Sequence, residues 1–207
     1  MPTLDDIRGL RFGPIGPCAV HVAIDMQRLF AEPTEWHAPS LAPLVAPIAR
    51  IAQHRPQRTI FTRFLTPHSA EHARGQWRTY YRRWRSVTLE RLAPDMLDLV
   101  APLAALAPPT LVVDKHGHSS FSSSDFLPAL GRLRADTLVL TGVETDVCVL
   151  TTALDAIDHG LRVILIEDAV ASSSPEGHRA CLDHIYPRYD QQIEVLTTDA
   201  LIDAWRE

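Results

Sequence analysis

Short apolar runs rich in β-branched residues alternate along this chain with segments of helical character, and that alternation restricts its fold more than any other feature. The runs are Cys18 to Ile24 (CAVHVAI), Thr59 to Phe64 (TIFTRF), Leu111 to Asp114, Thr137 to Leu140 (TLVL), Leu161 to Ile166 and Ile193 to Leu196. Continuous apolarity suits strands buried on both faces. Leu41 to Gln53, Gly75 to Arg85, Leu92 to Leu106 (interrupted by Pro102), Phe126 to Arg134, Asp146 to His159 and Pro175 to Tyr186 read as the intervening helices, and Ala200 to Trp205 as a last short one. Strands and helices in this order predict an α/β fold, a single-domain three-layer α-β-α sandwich with a six-stranded, mainly parallel sheet. The domain is expected to cover residues 1–207, with residues 1–17 an irregular lead-in around Gly9, Gly13, Pro14, Gly16 and Pro17. Sheets of this kind bind their ligands at the carboxyl ends of the strands.

The segment TLVLTGVETDVCVLTTALDAIDHG, Thr137 to Gly160, reads as strand, tight turn and helix. Val147, Leu150, Ala153, Leu154 and Ile157 recur at helical spacing, and Gly160 supplies a stop. Thr145 is the expected N-cap, so Cys148 falls in the first turn. Unpaired backbone N–H groups and the positive end of the helix dipole there favour a thiolate, the form in which cysteine is a nucleophile. The competing reading is a small buried hydrophobe, the commoner use of a free cysteine. Two further oddities bear on the choice. Asp25 directly follows the first strand, and Lys115 directly follows the third as the only lysine in a chain whose Lys and Arg total 20. A lysine ammonium is a compact charge that arginine does not replace in a catalytic site. The carboxyl-edge rule brings Asp25, Lys115 and Cys148 to one place.

Composition removes other classes. A net charge of -5 gives no support to nucleic-acid or anionic-membrane binding. GQWRTYYRRWR at Gly75 to Arg85 interleaves arginine with aromatic residues, but with Trp77, Tyr80, Tyr81 and Trp84 on one helical face it fits a pocket rim or a subunit contact better than a stacking surface for bases. No apolar run approaches a membrane span and the start of the chain has no signal-like core, so a cytoplasmic location is expected. The 3 cysteines are far apart with no CxxC pair, which indicates neither a disulfide framework nor a zinc site. No glycine- or hydroxyl-rich phosphate loop follows the first strand, which weighs against a flavin.

Three stretches, AIDMQRLF around Asp25, VVDKHGHSSF around Lys115 and TGVETDVCVLTTALDAIDHG around Cys148, resemble the isochorismatase-like cysteine hydrolase superfamily, which includes nicotinamidases, N-carbamoylsarcosine amidases, ureidoacrylate amidohydrolases, biuret hydrolases and isochorismatases. The resemblance implies Asp25 as general base, Lys115 as its charge partner and Cys148 as nucleophile toward a planar carbonyl carbon. It also implies a cis peptide between Val143 and Glu144, with the Glu144 and Cys148 backbone N–H groups as oxyanion hole. Isochorismatases proper lack the cysteine, so Cys148 argues for C–N hydrolysis of a small amide, carbamoyl or ureido compound. Nicotinamidases carry an Asp-x-His metal-binding segment where this chain has Thr62-Arg63-Phe64, so no metal and no other cofactor is expected. His68 and His72 are spaced i, i+4 but read as exposed loop residues. Gln27, Phe30, Arg63, Trp77, Tyr81 and His118 are the candidate substrate-binding residues. For Gln27 a substrate contact and a purely local backbone role stay open. A homo-oligomer, dimer or tetramer, is expected from the resemblance. The alternatives are hydrolysis of another bond and an idle, ligand-binding member.

Overall fold

The computed structural model describes residues 2–206. Its six strands are β1 (Ala19–Ile24), β2 (Thr59–Phe64), β3 (Val112–Lys115), β4 (Thr137–Val143), β5 (Arg162–Ala171) and β6 (Ile193–Leu196). They lie in the order β3-β2-β1-β4-β5-β6, and every neighbouring pair is parallel. β1 and β4 are buried along their whole length, which is why neither alternates polar with apolar residues. The chain builds outward from β1 to β3, then crosses back to β4 and builds outward the other way. The crevice at the carboxyl ends of β1 and β4 is therefore the switch point of the sheet.

Helices cover both sheet faces, as right-handed crossovers require. The Val45–His54 helix contacts β1 and β5 and buries Ile48, Ile51 and Ala52 on one stripe. Burial of each such aliphatic side chain contributes roughly 1.5–3 kcal/mol. This helix starts later than its apolar pattern suggests because Pro39 and Pro43 hold the preceding residues in a 3₁₀ turn, Pro39–Leu44. Proline also breaks the helix expected over Leu92 to Leu106. That stretch forms a 3₁₀ turn at Pro94–Leu97, a backbone bridge from Leu99 to Gln27 and one helical turn at Ala101–Ala104. The helix expected over Pro175 to Tyr186 divides into an α-helix at Pro175–Ala180, a π-turn at Cys181–Ile185 and a 3₁₀ turn at Tyr186–Tyr189.

Two details set the position of the site. Lys115 is the last residue of β3, not the first beyond it, so the strand itself aims the side chain. Gly142, at φ 106°, lets β4 press against β1: a Cβ there would lie 2.0 Å from the Ile24 carbonyl oxygen. Only glycine permits both that φ and that approach.

Candidate active site

Asp25 turns sharply off the end of β1 with φ 52°, a left-handed conformation that Asp tolerates better than most residues. Its backbone N–H donates to Thr62 Oγ1 at 3.2 Å, and the Thr62 hydroxyl donates to Asp25 Oδ1 at 2.7 Å. Thr62 thus fixes both the turn and the carboxylate plane. The other oxygen, Oδ2, lies 2.7 Å from Lys115 Nζ, with both side chains at 0% exposure. The ammonium donates two of its N–H groups to the Gly117 carbonyl at 3.0 Å and the His118 carbonyl at 2.8 Å, which leaves the third for Asp25. Asp25 Oδ2 is thus held by the ammonium, and the carboxylate is coupled to the Cys148 thiol.

The loop that receives Lys115 is tied to the segment carrying Cys148. Thr152 Oγ1 accepts the Ser120 backbone N–H at 3.0 Å and lies 3.1 Å from the Ser120 hydroxyl. Lysine, carboxylate and cysteine are in this way held by strands and by a loop with a fixed anchor.

Beyond β4 the Val143–Glu144 peptide is cis. The residues after it form a π-turn, Thr145–Val149, that runs into an α-helix at Leu150–Asp158. Thr145 is not the cap: Glu144 occupies that position, and the Thr145 hydroxyl instead meets His178 Nδ1 at 2.9 Å. Tyr186 donates its hydroxyl to the Thr145 carbonyl at 3.0 Å, a second brace behind the turn. Cys148 is buried, and the dipole argument alone misjudges it. Burial pushes its thiol well above the ordinary range; Lys115 opposes that rise, and Asp25 reinforces it. Burial thus favours the thiol form, and the group is coupled electrostatically to the Asp25–Lys115 pair.

Cys148 forms the floor of a cavity of about 170 Å³. Phe30, Trp36, Phe64, Tyr80 and Trp84 wall it with rings, while Glu35, Glu144, Val147, Ser173 and His118 complete the lining. Trp36 stands in the middle of the rings, stacked on Phe30 at 6.0 Å and edge-on to Phe64 at 5.8 Å. His118 leans on Trp77 at 4.9 Å and Phe64 at 6.2 Å. Burial and the nearby Lys115 lower its pKa, so it is neutral near pH 7. Burial first, and then Cys148 and Glu144, raise the Tyr80 phenol to about 12, so it is a donor and not a phenolate.

Several anticipated residues have other tasks. Gln27 is fully buried; its amide accepts the Phe64 N–H at 2.7 Å and donates to the Leu97 and Phe64 carbonyls at 2.7 and 3.2 Å. It stitches the chain after β1 to the end of β2, which resolves its role as local. Arg63 points to the opposite side of β2, where it forms a bidentate pair with Asp114 at 2.7 and 2.8 Å and lines a separate cleft with Arg28 and Asp98. Period-2 alternation along β2 puts it on the face away from Thr62 and Phe64. Trp77 and Tyr81 back the cavity through ring contacts, but Tyr80 and Trp84 of the same helix, Trp77–Arg83 and its C-cap, line it. His68 and His72 lie ring against ring at 5.5 Å, with His72 Nδ1 engaged by Ser69. Among the described residues no cluster of three His, Cys, Asp or Glu side chains could hold a metal ion, and no helix is long and apolar enough to cross a membrane.

The sequence pattern did not single out Trp36 and Glu35. Their one signal is position, in the loop that leaves the carboxyl end of β1, where loops carry binding residues.

Comparison with known proteins gives a consistent picture. Residues 19–200 match the family model of the isochorismatase domain. Maleamate amidohydrolase of Pseudomonas putida is 36% identical over 107 residues, which cover 48% of this chain and 50% of that protein. The chain thus spans about half the length of this curated relative. Among solved structures, a cysteine hydrolase from Pseudomonas syringae superposes with a TM-score of 0.74 at 25% identity, covering 95% of this chain and 97% of that one. N-carbamoylsarcosine amidase from Thermoplasma acidophilum shares the fold at a TM-score of 0.66 and 23% identity over 87% of this chain and 96% of its own.

Proposed function

The chain belongs to the isochorismatase family of hydrolases, and from that premise we propose that it is a cysteine-dependent amidohydrolase acting on a small amide, carbamoyl or ureido compound. The observation that carries this reading is the juxtaposition of buried Asp25, 2.7 Å from the Lys115 ammonium, with the buried Cys148 thiol to which it is coupled. In this mechanism the substrate carbonyl carbon settles above Cys148. Asp25 takes the thiol proton as sulfur attacks, so the thiolate forms only when it is consumed. The backbone N–H groups of Glu144 and Cys148 hold the developing oxyanion. Collapse of the tetrahedral adduct breaks the C–N bond, and the leaving ammonia or amine takes the proton from Asp25. Water then attacks the thioester and gives a proton to Asp25; collapse breaks the C–S bond, and Asp25 returns that proton to the departing Cys148 sulfur as the acid is released. Lys115 faces Asp25 and balances the negative charge as it moves between the carboxylate and the tetrahedral oxyanion.

The names of the similar proteins, two of which specify amide or carbamoyl substrates, support C–N over ether cleavage. Homo-oligomer formation and a cytoplasmic setting belong to the same reading; sedimentation of the purified chain tests the first. The direct test is ammonia release over a panel of small amides, ureido acids, carbamoyl amino acids and biuret. Release that disappears in Cys148→Ala is the expected result. Activity that survives that substitution sinks the mechanism.

A further inference from the structure

The rings and charges around Cys148 carry information about the rest of the substrate. Five aromatic side chains form the wall, and a cation among them is attracted by the negative π-density of any ring face that it meets. Two carboxylates, Glu35 and Glu144, share that wall. Glu144 gives one oxygen, Oε1, to the Ser173 backbone N–H at 2.9 Å and keeps the other; Glu35 is exposed at the mouth and accepts from Ser86. No arginine lines the cavity among the described residues. The Lys115 ammonium lies behind Phe64, 4.7 Å from its ring centroid, and is already committed to Asp25 and two carbonyls. Arg83 stacks on Trp84 at 5.2 Å without joining the lining, so that indole already accepts a cation.

From this arrangement we infer, on the basis of the amidohydrolase reading above, that the site selects amides whose far end bears a compact cation of the alkylammonium type and disfavours those bearing a carboxylate. With Asp25 and Lys115 cancelling, the two glutamates leave the cavity net negative. An anionic substrate would meet two like charges and no guanidinium fork, the group that ordinarily recognises a carboxylate. A trimethylammonium group needs no hydrogen bonds and is satisfied by ring faces. The size agrees: about 170 Å³ is close to the ~150 Å³ cavity that accommodates a benzene-sized molecule. A short acyl amide ending in a quaternary nitrogen fills it.

An isosteric trio tests the inference: trimethylammonioacetamide, its neutral carbon analogue 3,3-dimethylbutanamide, and malonamate, the anionic half-amide. Ammonia release by the wild-type chain should favour the cation over the neutral isostere by ~10-fold in kcat/KM, within the range of a desolvated cation–π contact, and over malonamate by more. Binding of the same three to Cys148→Ala, read from the fluorescence of Trp36 and Trp84, gives a second readout that needs no chemistry. Glu35→Gln should shrink the cation-to-neutral ratio several-fold. Equal or better turnover and binding of malonamate would overturn the inference while leaving the amidohydrolase reading intact. Selective binding of the cation with no ammonia from any of the three would leave the inference standing and defeat the chemistry. A cation-to-neutral ratio near one in both readouts would also overturn it.

Discussion

Two buried carboxylates at opposite edges of the sheet show how this chain separates stability from chemistry. At the amino edge of β5, Glu194 of β6 is fully buried and saturated: Arg162 meets it at 2.6 Å through Nη2 and 2.7 Å through Nε, and the backbone N–H groups of Arg11 and Phe12 complete its shell. The same arginine reaches the Gly13 and Pro14 carbonyls at 2.8 and 3.0 Å, pinning the lead-in to the domain. At the carboxyl edge Asp25 is equally buried and paired with a cation, yet its shell is lighter, with Thr62 on one oxygen, Lys115 on the other and the Cys148 thiol coupled to it. Burial and an opposite charge are common to both pairs. The difference is completeness, and an incomplete shell is what a group that must accept a proton requires.

The comparison is broken or sharpened by substitutions at each edge. Asp25→Asn should lower kcat/KM by ~10³-fold or more, in the range expected for loss of a positioned general base, measured by ammonia release at fixed folded concentration; a residual rate within ten-fold of wild type would remove Asp25 from the mechanism. Glu194→Gln should do the opposite. It leaves the half-buried Arg162 without its counter-charge, which costs about 1–3 kcal/mol of stability, while activity per folded molecule stays within two-fold. Urea unfolding monitored alongside turnover checks both halves.

Between the edges, His21 in the middle of β1 is fully buried and bridges Thr59 Oγ1 at 3.2 Å and Thr141 Oγ1 at 2.8 Å. Burial lowers its pKa from 6.5 to about 3. Below pH 6.5 the unfolded chain therefore takes up a proton that the folded chain refuses, so its contribution is complete above pH 6.5 and falls as pH falls toward 3. Between pH 6.5 and about pH 4.5 the loss should reach roughly 2–3 kcal/mol. Urea midpoints across that range should show the decline, and His21→Asn should flatten it; an identical slope in the variant would assign the acid sensitivity elsewhere. The smallest effect belongs to Arg63→Ala. Arg63 is a partly exposed partner of Asp114 on the far face of β2, and its loss should change stability by no more than about 1 kcal/mol and kcat/KM by less than two-fold. A large rise in KM would return Arg63 to the site.

Strand positions were legible because each strand is a short run of apolar residues with a clear stop. β2 and β6 start and end where the runs Thr59 to Phe64 and Ile193 to Leu196 do. Helices were less legible wherever proline sits inside an apolar pattern, as at Pro43, Pro94, Pro102 and Pro187. The convergence of Asp25, Lys115 and Cys148 followed from topology alone, since each ends or follows a strand at one edge. The cavity wall did not follow. Which face of the Trp77–Arg83 helix meets the ligand depends on how that helix rolls against Phe64 and Trp36, and Trp36 belongs to a loop with no periodicity to mark it. The π-turn at Thr145–Val149 was equally hidden, because Tyr186 and His178, both distant in sequence, hold Thr145.

Intact-mass spectrometry of the wild-type chain, quenched in acid within its first turnover of a small amide, tests the central claim most directly. The account predicts an adduct equal to the acyl group on the peptide containing Cys148, labile to hydroxylamine, and absent from Cys148→Ala. Ammonia release with no adduct, or an adduct on any other residue, would contradict it.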